Sequence, residues 1–349
     1  MSLPNNAPGP IVLFGSGETS PSGRKIFSYI LNRLPFSPDV VLLETPAGFE
    51  PNSPQVVGKV ADFLTRHLQN RKPRPQVVAA RKRATAFSPD DPEIAGPILS
   101  ADLIFLGPGS PTYAVRQLRG SLTWQYLVAR HRLGAGLALA SAAVIAVGSH
   151  ALPVYEIYKV GQDLHWTPGL DLFAPFGLSL VFIPHWNNND GGAELDTSRC
   201  YMGRERFDTL LEMLSPGQVV VGIDERTGLA LDLEKGICEV VGAGRVVIIR
   251  DDRRRVMKGL FSIEELGDFR MPDPRDGIPP DVWQAALGAK RTPPGVAAEP
   301  PGDILSLVEQ RQTARATKNW SAADELRLKI EDAGWQVQDT PEGPLVSKL

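Results

Sequence analysis

The stretch "LALASAAVIAVGSH", residues 137–150, sets Ser141 directly behind an apolar run and places His150 at its far end. No Asp, Glu, Lys or Arg occurs from Leu133 to Tyr155. A charge-free run of that length matches a membrane span, but its second half carries Ser, His and Pro153. A buried strand leading into a buried helix start accounts for it better. Ser141 then has two readings: a nucleophile on a strand-to-helix elbow, or a small core residue.

Outward from this stretch, short β-branched runs recur: "PIVLFG" (10–15), "DVVLLE" (39–44), "ADLIFLG" (101–107), "GLALA" (136–140) and "LSLVFI" (178–183). Amphipathic helical patterns separate them. In "SPQVVGKVADFLTRHL", Ser53 stands at a capping position and Pro54 at the first helical position, with Val57, Val60, Phe63, Leu64 and Leu68 on one face. Continuous apolar strands alternating with helices predict an α/β fold: a mostly parallel sheet with helices on both faces. Residues 218–250 change to close-set strands and predict a β-rich, antiparallel extension.

The 349 residues allow one large domain plus a small one. A net charge of −3 excludes a general polyanion binder, which needs a dense positive field. Two cysteines, Cys200 and Cys238, fit a reducing compartment rather than a disulfide framework. "MSLPNNAPGP" has no secretion-signal pattern, so a cytoplasmic location is expected. The expected organisation is an α/β domain over 1–285, a Pro/Gly/Ala-rich linker over 286–302, and a tail over 303–349 made of a helical hairpin and a small β-hairpin.

A serine nucleophile needs a base, a carboxylate to orient the base, and donors for the oxyanion. Of the five histidines, His67 and His131 sit beside arginines in helical patterns and are read as solvated, and His165 lies in an apparent loop. His150 and His185 follow apolar segments, where open α/β sheets gather ligands. Glu156, the first acid after the charge-free run, gives the chain order Ser–acid–His seen in α/β hydrolases. The glycines of "LGPGSPTY" (106–113), just ahead of Ser110, expose backbone N–H groups. The stretch "PHWNNNDGGAELDTSRCYMGRERF" gathers Asn187, Asn188, Arg199, Arg204 and Arg206 without apolar periodicity. It reads either as a solvated loop or as a substrate pocket on a loop. No metal-loop spacing and no cofactor motif is read, so neither group is expected.

Together these segments resemble the cyanophycinase and peptidase E family of serine hydrolases, whose fold is class I glutamine amidotransferase-like. The carriers are "LFGSGE" (13–18), "LIFLGPGSPTYAVRQLRGS" (103–121), "ALASAA" (138–143) and, as the most specific match, "VVVGIDERTGLAL" (219–231). Leu139 and Ala143 stand where that family's elbow has glycine, and Ser110 and Pro111 where its loop carries an amide. The resemblance implies Ser141 as nucleophile, His185 as base and Glu156 as third member. It implies oxyanion donors at the N–H groups of Gly109 and Ala142. It further implies Arg204 and Arg206 as substrate-binding positions and a small peptide or amide substrate. Ser110, Asn187, Asn188 and Arg199 join the expected substrate-binding set. A catalytically inactive, ligand-binding version of the fold remains open at this point.

The tail, "VEQRQTARATKNWSAADELRLKIEDAGWQVQDTPEGP" (308–344), resembles the C-terminal segment of cysteinyl-tRNA synthetases. The synthetase's ATP-binding signatures and zinc cysteines are absent from this sequence. That resemblance implies at most a tRNA or protein contact, alongside an expected homo-oligomer with no membrane segment. Within the tail, Arg311, Arg315 and Lys318 are read as a basic stripe, Ser321 as a helix start with Asp324 as its capping-box partner, and Gly334 as the helix end.

Overall fold

Small residues and β-branched strands decide the layering. In the computed structural model, which describes residues 7–251, 253–289, 301–317, 319–340 and 343–348, the chain divides into two units, Met1–Arg291 and Thr292–Leu349. The first unit holds strands β1 (Ile11–Phe14), β2 (Asp39–Leu43), β3 (Arg74–Val78), β4 (Leu103–Leu106) and β5 (Gly136–Ala140). After a two-residue ribbon of β6 (His150–Ala151) and β7 (Thr167–Pro168) come β8 (Leu180–Ile183), β9 (Val219–Ile223) and β10 (Thr227–Asp232). Strands β11 (Ile237–Gly242), β12 (Val246–Arg250), β13 (Arg253–Met257) and β14 (Leu260–Ser262) complete the set.

The main sheet runs β14-β11-β10-β1-β5-β4-β2-β3. Its β1, β5, β4, β2 and β3 are parallel neighbours, and β10, β11 and β14 extend it antiparallel. Both faces are buried. Ile11, Leu13, Leu137 and Leu139 belong to one core, and Val12, Phe14, Ala138 and Ala140 to another. The alanines of β5 face a core where Phe27 packs with Phe14 (4.9 Å), Phe105 (5.9 Å) and Phe63 (6.4 Å) between centroids. Helices α1 (Pro21–Leu31) and α2 (Ser53–His67) bring Phe27 and Phe63 to it. Further helices are α3 (Pro92–Ala95), α4 (Pro111–Leu118), α5 (Leu122–Arg132), α6 (Ala142–Ala146), α7 (Val154–Tyr158), α8 (Gly203–Glu212) and α9 (Pro280–Gly288).

The α/β reading with helices on both faces holds, but several details differ. The 218–250 segment does not simply extend one sheet. It is shared between two, because β8, β9, β12 and β13 form a second sheet ordered β13-β12-β9-β8. "RPQVV" (β3), with a proline and arginine and an exposed edge, escaped the apolar-run criterion. Asn52, not Ser53, precedes α2, and the Ser53 hydroxyl instead donates to buried Glu44 at 2.7 Å. His131 is fully buried rather than solvated, with Nδ1 3.1 Å from the Ala135 carbonyl, and burial pushes its pKa down to about 4. The stretch read as a linker from 286 begins inside α9, and residues 290–300 lie outside the described residues.

The second unit has helices α10 (Gly302–Ala316) and α11 (Trp320–Asp332) and a hairpin of β15 (Trp335–Thr340) with β16 (Gly343–Lys348). Ile304, Val308, Ile330 and Trp335 form its core. The cap of α11 is Asn319, whose side chain accepts from Ala322 N–H at 3.3 Å, rather than Ser321. Arg311 is buried, so it does not join Arg315 on an exposed basic stripe, and Lys318 lies outside the described residues. Among the described residues no helix is long and apolar enough to cross a membrane.

Candidate active site

Strand β5 ends at Ala140, and the next residue turns the chain sharply into α6. Ser141 does so at φ 52° and ψ −110°, a conformation that costs a non-glycine residue on the order of 1–3 kcal/mol. The turn leaves the serine partly exposed while all of α6 behind it is buried. Leu139 is accommodated because its register partners are Leu13 of β1 and Leu106 of β4, in a core that also includes Ala143 and Val144. The bulk is taken up on the sheet face rather than at the turn.

The Ser141 Oγ lies 3.0 Å from His185 Nε2. His185 comes two residues after β8 and is itself at φ 52°. Its Nδ1 lies 3.1 Å from Glu225 Oε1, two residues beyond β9. With Nδ1–H donating to that carboxylate, Nε2 is left as an acceptor for the serine hydroxyl. Glu225 is held from two further directions. Asn188 Nδ2 donates to Oε1 at 3.0 Å, and Glu225 N–H donates to Asn187 Oδ1 at 2.7 Å. The His185 hydrogen bond keeps the carboxyl below the usual range, helped by Asn188 and by the imidazole's charge and opposed by partial burial.

Gly15, just past β1, joins the two sheets at this point. Its carbonyl accepts from His185 N–H at 3.0 Å, and its own N–H donates to Thr227 O at 2.8 Å. A Cβ there would stand 2.0 Å from Asp224 O.

Beside Ser141 opens a cavity of about 240 Å³, lined by Gly109, Ala142, Tyr155, Tyr158, His185 and Tyr201 among others. Gly109 and Ala142, the expected oxyanion donors, therefore border the same space as the serine. Ala142 N–H is in the first turn of α6, where a helix leaves donors without internal acceptors. Gly109 has φ 144°, and a Cβ on it would come within 1.9 Å of Pro46 O. Cys200 also lines the cavity, but burial pushes its thiol up to about 12, which disfavours a thiolate.

The structure separates the remaining expected residues from this constellation. Glu156 is not at His185. Helix α7 directs it to α4, where Thr112 Oγ1 donates to its Oε1, and it lines a neighbouring cavity of about 650 Å³ with Lys82 and Arg116. Ser110 lines that same cavity and caps α4, accepting from Tyr113 N–H at 3.2 Å. Asn187 and Asn188 hold Glu225, as above. Together with Arg199 and Arg204 they line a third cavity, which shares no lining residue with the Ser141 cavity. Arg206 is committed to the carbonyls of Met202 (2.7 Å) and Tyr201 (2.9 Å). Glu225 is the functional candidate that the sequence reading passed over, although its "GIDE" segment was the most specific match. Among the described residues no three His, Cys, Asp or Glu side chains gather to hold a metal ion.

No family model matches the chain. A crystal structure of a peptidase from an acI-B1 actinobacterium superposes with a TM-score of 0.59 at 20% identity, covering 74% of this chain and 98% of that one. The C-terminal region is similar to cysteine–tRNA ligases. Identity is 48% over 50 residues with the Methanosarcina mazei ligase (14% of this chain, 11% of the ligase). It is 36% over 78 residues with ligase 1 of Burkholderia lata (20% and 16%). The chain thus spans only a small fraction of the ligases it matches. The chain shares its α/β fold with that peptidase structure, and its C-terminal region is similar to part of cysteine–tRNA ligases.

Proposed function

We propose that the first unit is a serine hydrolase that cleaves a peptide or other amide bond through a Ser141–His185–Glu225 triad. The observation that carries this reading is the unbroken chain of contacts, 3.0 Å from hydroxyl to imidazole and 3.1 Å from imidazole to carboxylate. In this reading His185 Nε2 takes the hydroxyl proton as Ser141 Oγ attacks the carbonyl carbon. The Gly109 and Ala142 N–H groups stabilise the resulting oxyanion, and His185 returns the proton to the leaving amine. Water then attacks the acyl-enzyme with His185 again as base, releasing the acid and restoring the serine. Glu225 holds the ring in the tautomer this requires and balances the imidazolium charge.

The elbow strain at Ser141 supports the reading, since non-glycine residues in sparsely populated conformations cluster at active sites. The cavity beside Ser141 supports an acyl group with apolar or aromatic character, because Ile145, Val154, Tyr155, Tyr158 and Tyr201 line it. Arg204, which the family resemblance tied to substrate together with Arg206, lines the separate third cavity, and Arg206 is bonded to backbone carbonyls, so acidic specificity is not part of the proposal. The test is labelling of the full chain with a fluorophosphonate probe. We expect one probe per chain on Ser141, lost in Ser141→Ala and in His185→Ala. Labelling absent from a folded wild-type chain, or retained in Ser141→Ala, overturns the assignment.

For the second unit we propose tRNA contact, on its similarity to the ligase tail. Filter binding of tRNA to the full chain, compared with a chain ending at residue 291, tests it. Equal retention by both overturns it.

A further inference from the structure

Behind the Trp186–Asn188 segment lies the third cavity, about 450 Å³ in volume, and its lining is dominated by guanidinium groups. Arg199, Arg204, Arg245 and Arg254 converge there from the 185–204 loop, the start of α8 and the β12–β13 sheet. Arg199 stands over the Trp186 ring at 4.5 Å and Arg254 at 5.4 Å, so the indole fixes two cations in place.

Among the described residues two carboxylates line the cavity with these four cations, and both are already engaged; Asp208 acts on Arg199 from outside the lining. Asp224 pairs with Arg245 at 3.5 Å and accepts Arg245 N–H at 3.1 Å. Asp196 accepts the backbone N–H groups of Ser198 and Arg204, each at 3.0 Å. Among the described residues no ion pair is formed by the guanidinium groups of Arg199, Arg204 or Arg254. Their crowding is felt. Arg199 holds its proton less tightly than usual, first from partial burial and then from the charges of Arg254 and Arg204. Like charges held together in a concave, half-dry site repel unless an anion joins them.

We propose that this cavity binds a small tetrahedral dianion, either inorganic phosphate or the phosphoryl group of a small phosphate monoester. A dianion matches the surplus of cations over carboxylates. Planar guanidinium forks pair in bidentate fashion with phosphate oxygens, and three directions of approach suit a tetrahedral rather than a planar ligand. The volume exceeds that of a bare phosphate, and Val247 and Val256 provide an apolar wall for a short carbon chain. The site is distinct from the Ser141 cavity, and it is walled by Asn187 and Asn188, the residues that seat Glu225.

Isothermal titration of the full chain at constant ionic strength tests the site without reference to hydrolysis. Inorganic phosphate and glycerol 3-phosphate are the two arms, with citrate as a planar-carboxylate competitor. We expect saturable binding of at least one phosphate probe. The Arg204→Gln/Arg254→Gln pair should weaken it by about tenfold or more, as loss of charge-assisted hydrogen bonds implies. Arg66→Gln, at an exposed position of α2, should leave it unchanged. Tighter binding of the monoester assigns the organic phosphate, and equal binding assigns the free ion. Arg254→Gln alone, on the exposed face of β13, keeps the test decisive if the double variant fails to fold. Non-saturable binding, binding unchanged in Arg254→Gln and the double variant, or binding of citrate alone overturns the proposal.

Discussion

Glu225→Gln separates the charge of the third triad member from its shape. Glutamine keeps an oxygen able to accept from His185 Nδ1 and fits the same space, so the ring orientation survives while the negative charge does not. In the proposed mechanism the Ser–His proton transfer creates an imidazolium whose partner is one carboxylate oxygen 3.1 Å away. At an effective dielectric near 20, a charge pair about 4 Å apart is worth about 4 kcal/mol. Glu225 is about a third exposed, which trims that to about 3 kcal/mol or a rate factor of about a hundred. The assay is the second-order rate of fluorophosphonate labelling at Ser141, which requires no knowledge of the substrate. Glu156→Gln serves as the paired comparison, because Glu156 contacts Thr112 rather than the imidazole. A Glu225→Gln chain that labels at the wild-type rate, or a Glu156→Gln chain that slows equally, refutes the geometry-based choice of acid.

Gly109→Ala should both destabilise the first unit and slow labelling by about a hundredfold, since the new methyl meets Pro46 O and displaces an oxyanion donor. Thermal midpoint and labelling rate, measured together, check it. His131 makes stability acid-sensitive. Its folded pKa is depressed from 6.5 to about 4, so its contribution is full above pH 6.5 and drains away as pH falls toward 4, by about 3 kcal/mol. Urea midpoints of wild type and His131→Gln at pH 7 and pH 4.5 should converge on acidification, and parallel curves contradict this. Ile330→Ala should cost the second unit about 2–4 kcal/mol, because Ile330 is fully buried in a four-residue core. Hydrogen exchange across α11 reads that loss, and unchanged protection there disproves it.

The legible part of the molecule was the part encoded locally. Apolar runs gave β1, β2, β4, β5 and β8 because strands buried on both faces must be apolar throughout. Ser141 and His185 stood out because each polar group directly follows such a run. Glu225 follows one too, behind "QVVVGID", but the order Ser–acid–His points to Glu156 instead. The observed order is Ser–His–acid, which chain position cannot reveal when the three ends belong to strands of two sheets. His131 was misjudged because flanking arginines mark a helix surface only on average. Here His131 faces inward from α5 near Phe176, 6.5 Å between ring centroids. The arginine cavity was illegible for a related reason: Arg245 and Arg254 reach Arg199 only through the pairing of β12 with β9 and β13.

The carbonyl of Gly15 tethers His185 to the main sheet, while Glu225 hangs from the end of β9 in the second. A methyl group at this residue would act as a wedge against Asp224, prising the imidazole from the hydroxyl without touching either. The wedge meets backbone rather than a flexible side chain, so the seam itself must shift, and stability and labelling at Ser141 would fall together. The gap left by one missing methyl at the seam between the sheets thus sets both the fit of the fold and the aim of the imidazole.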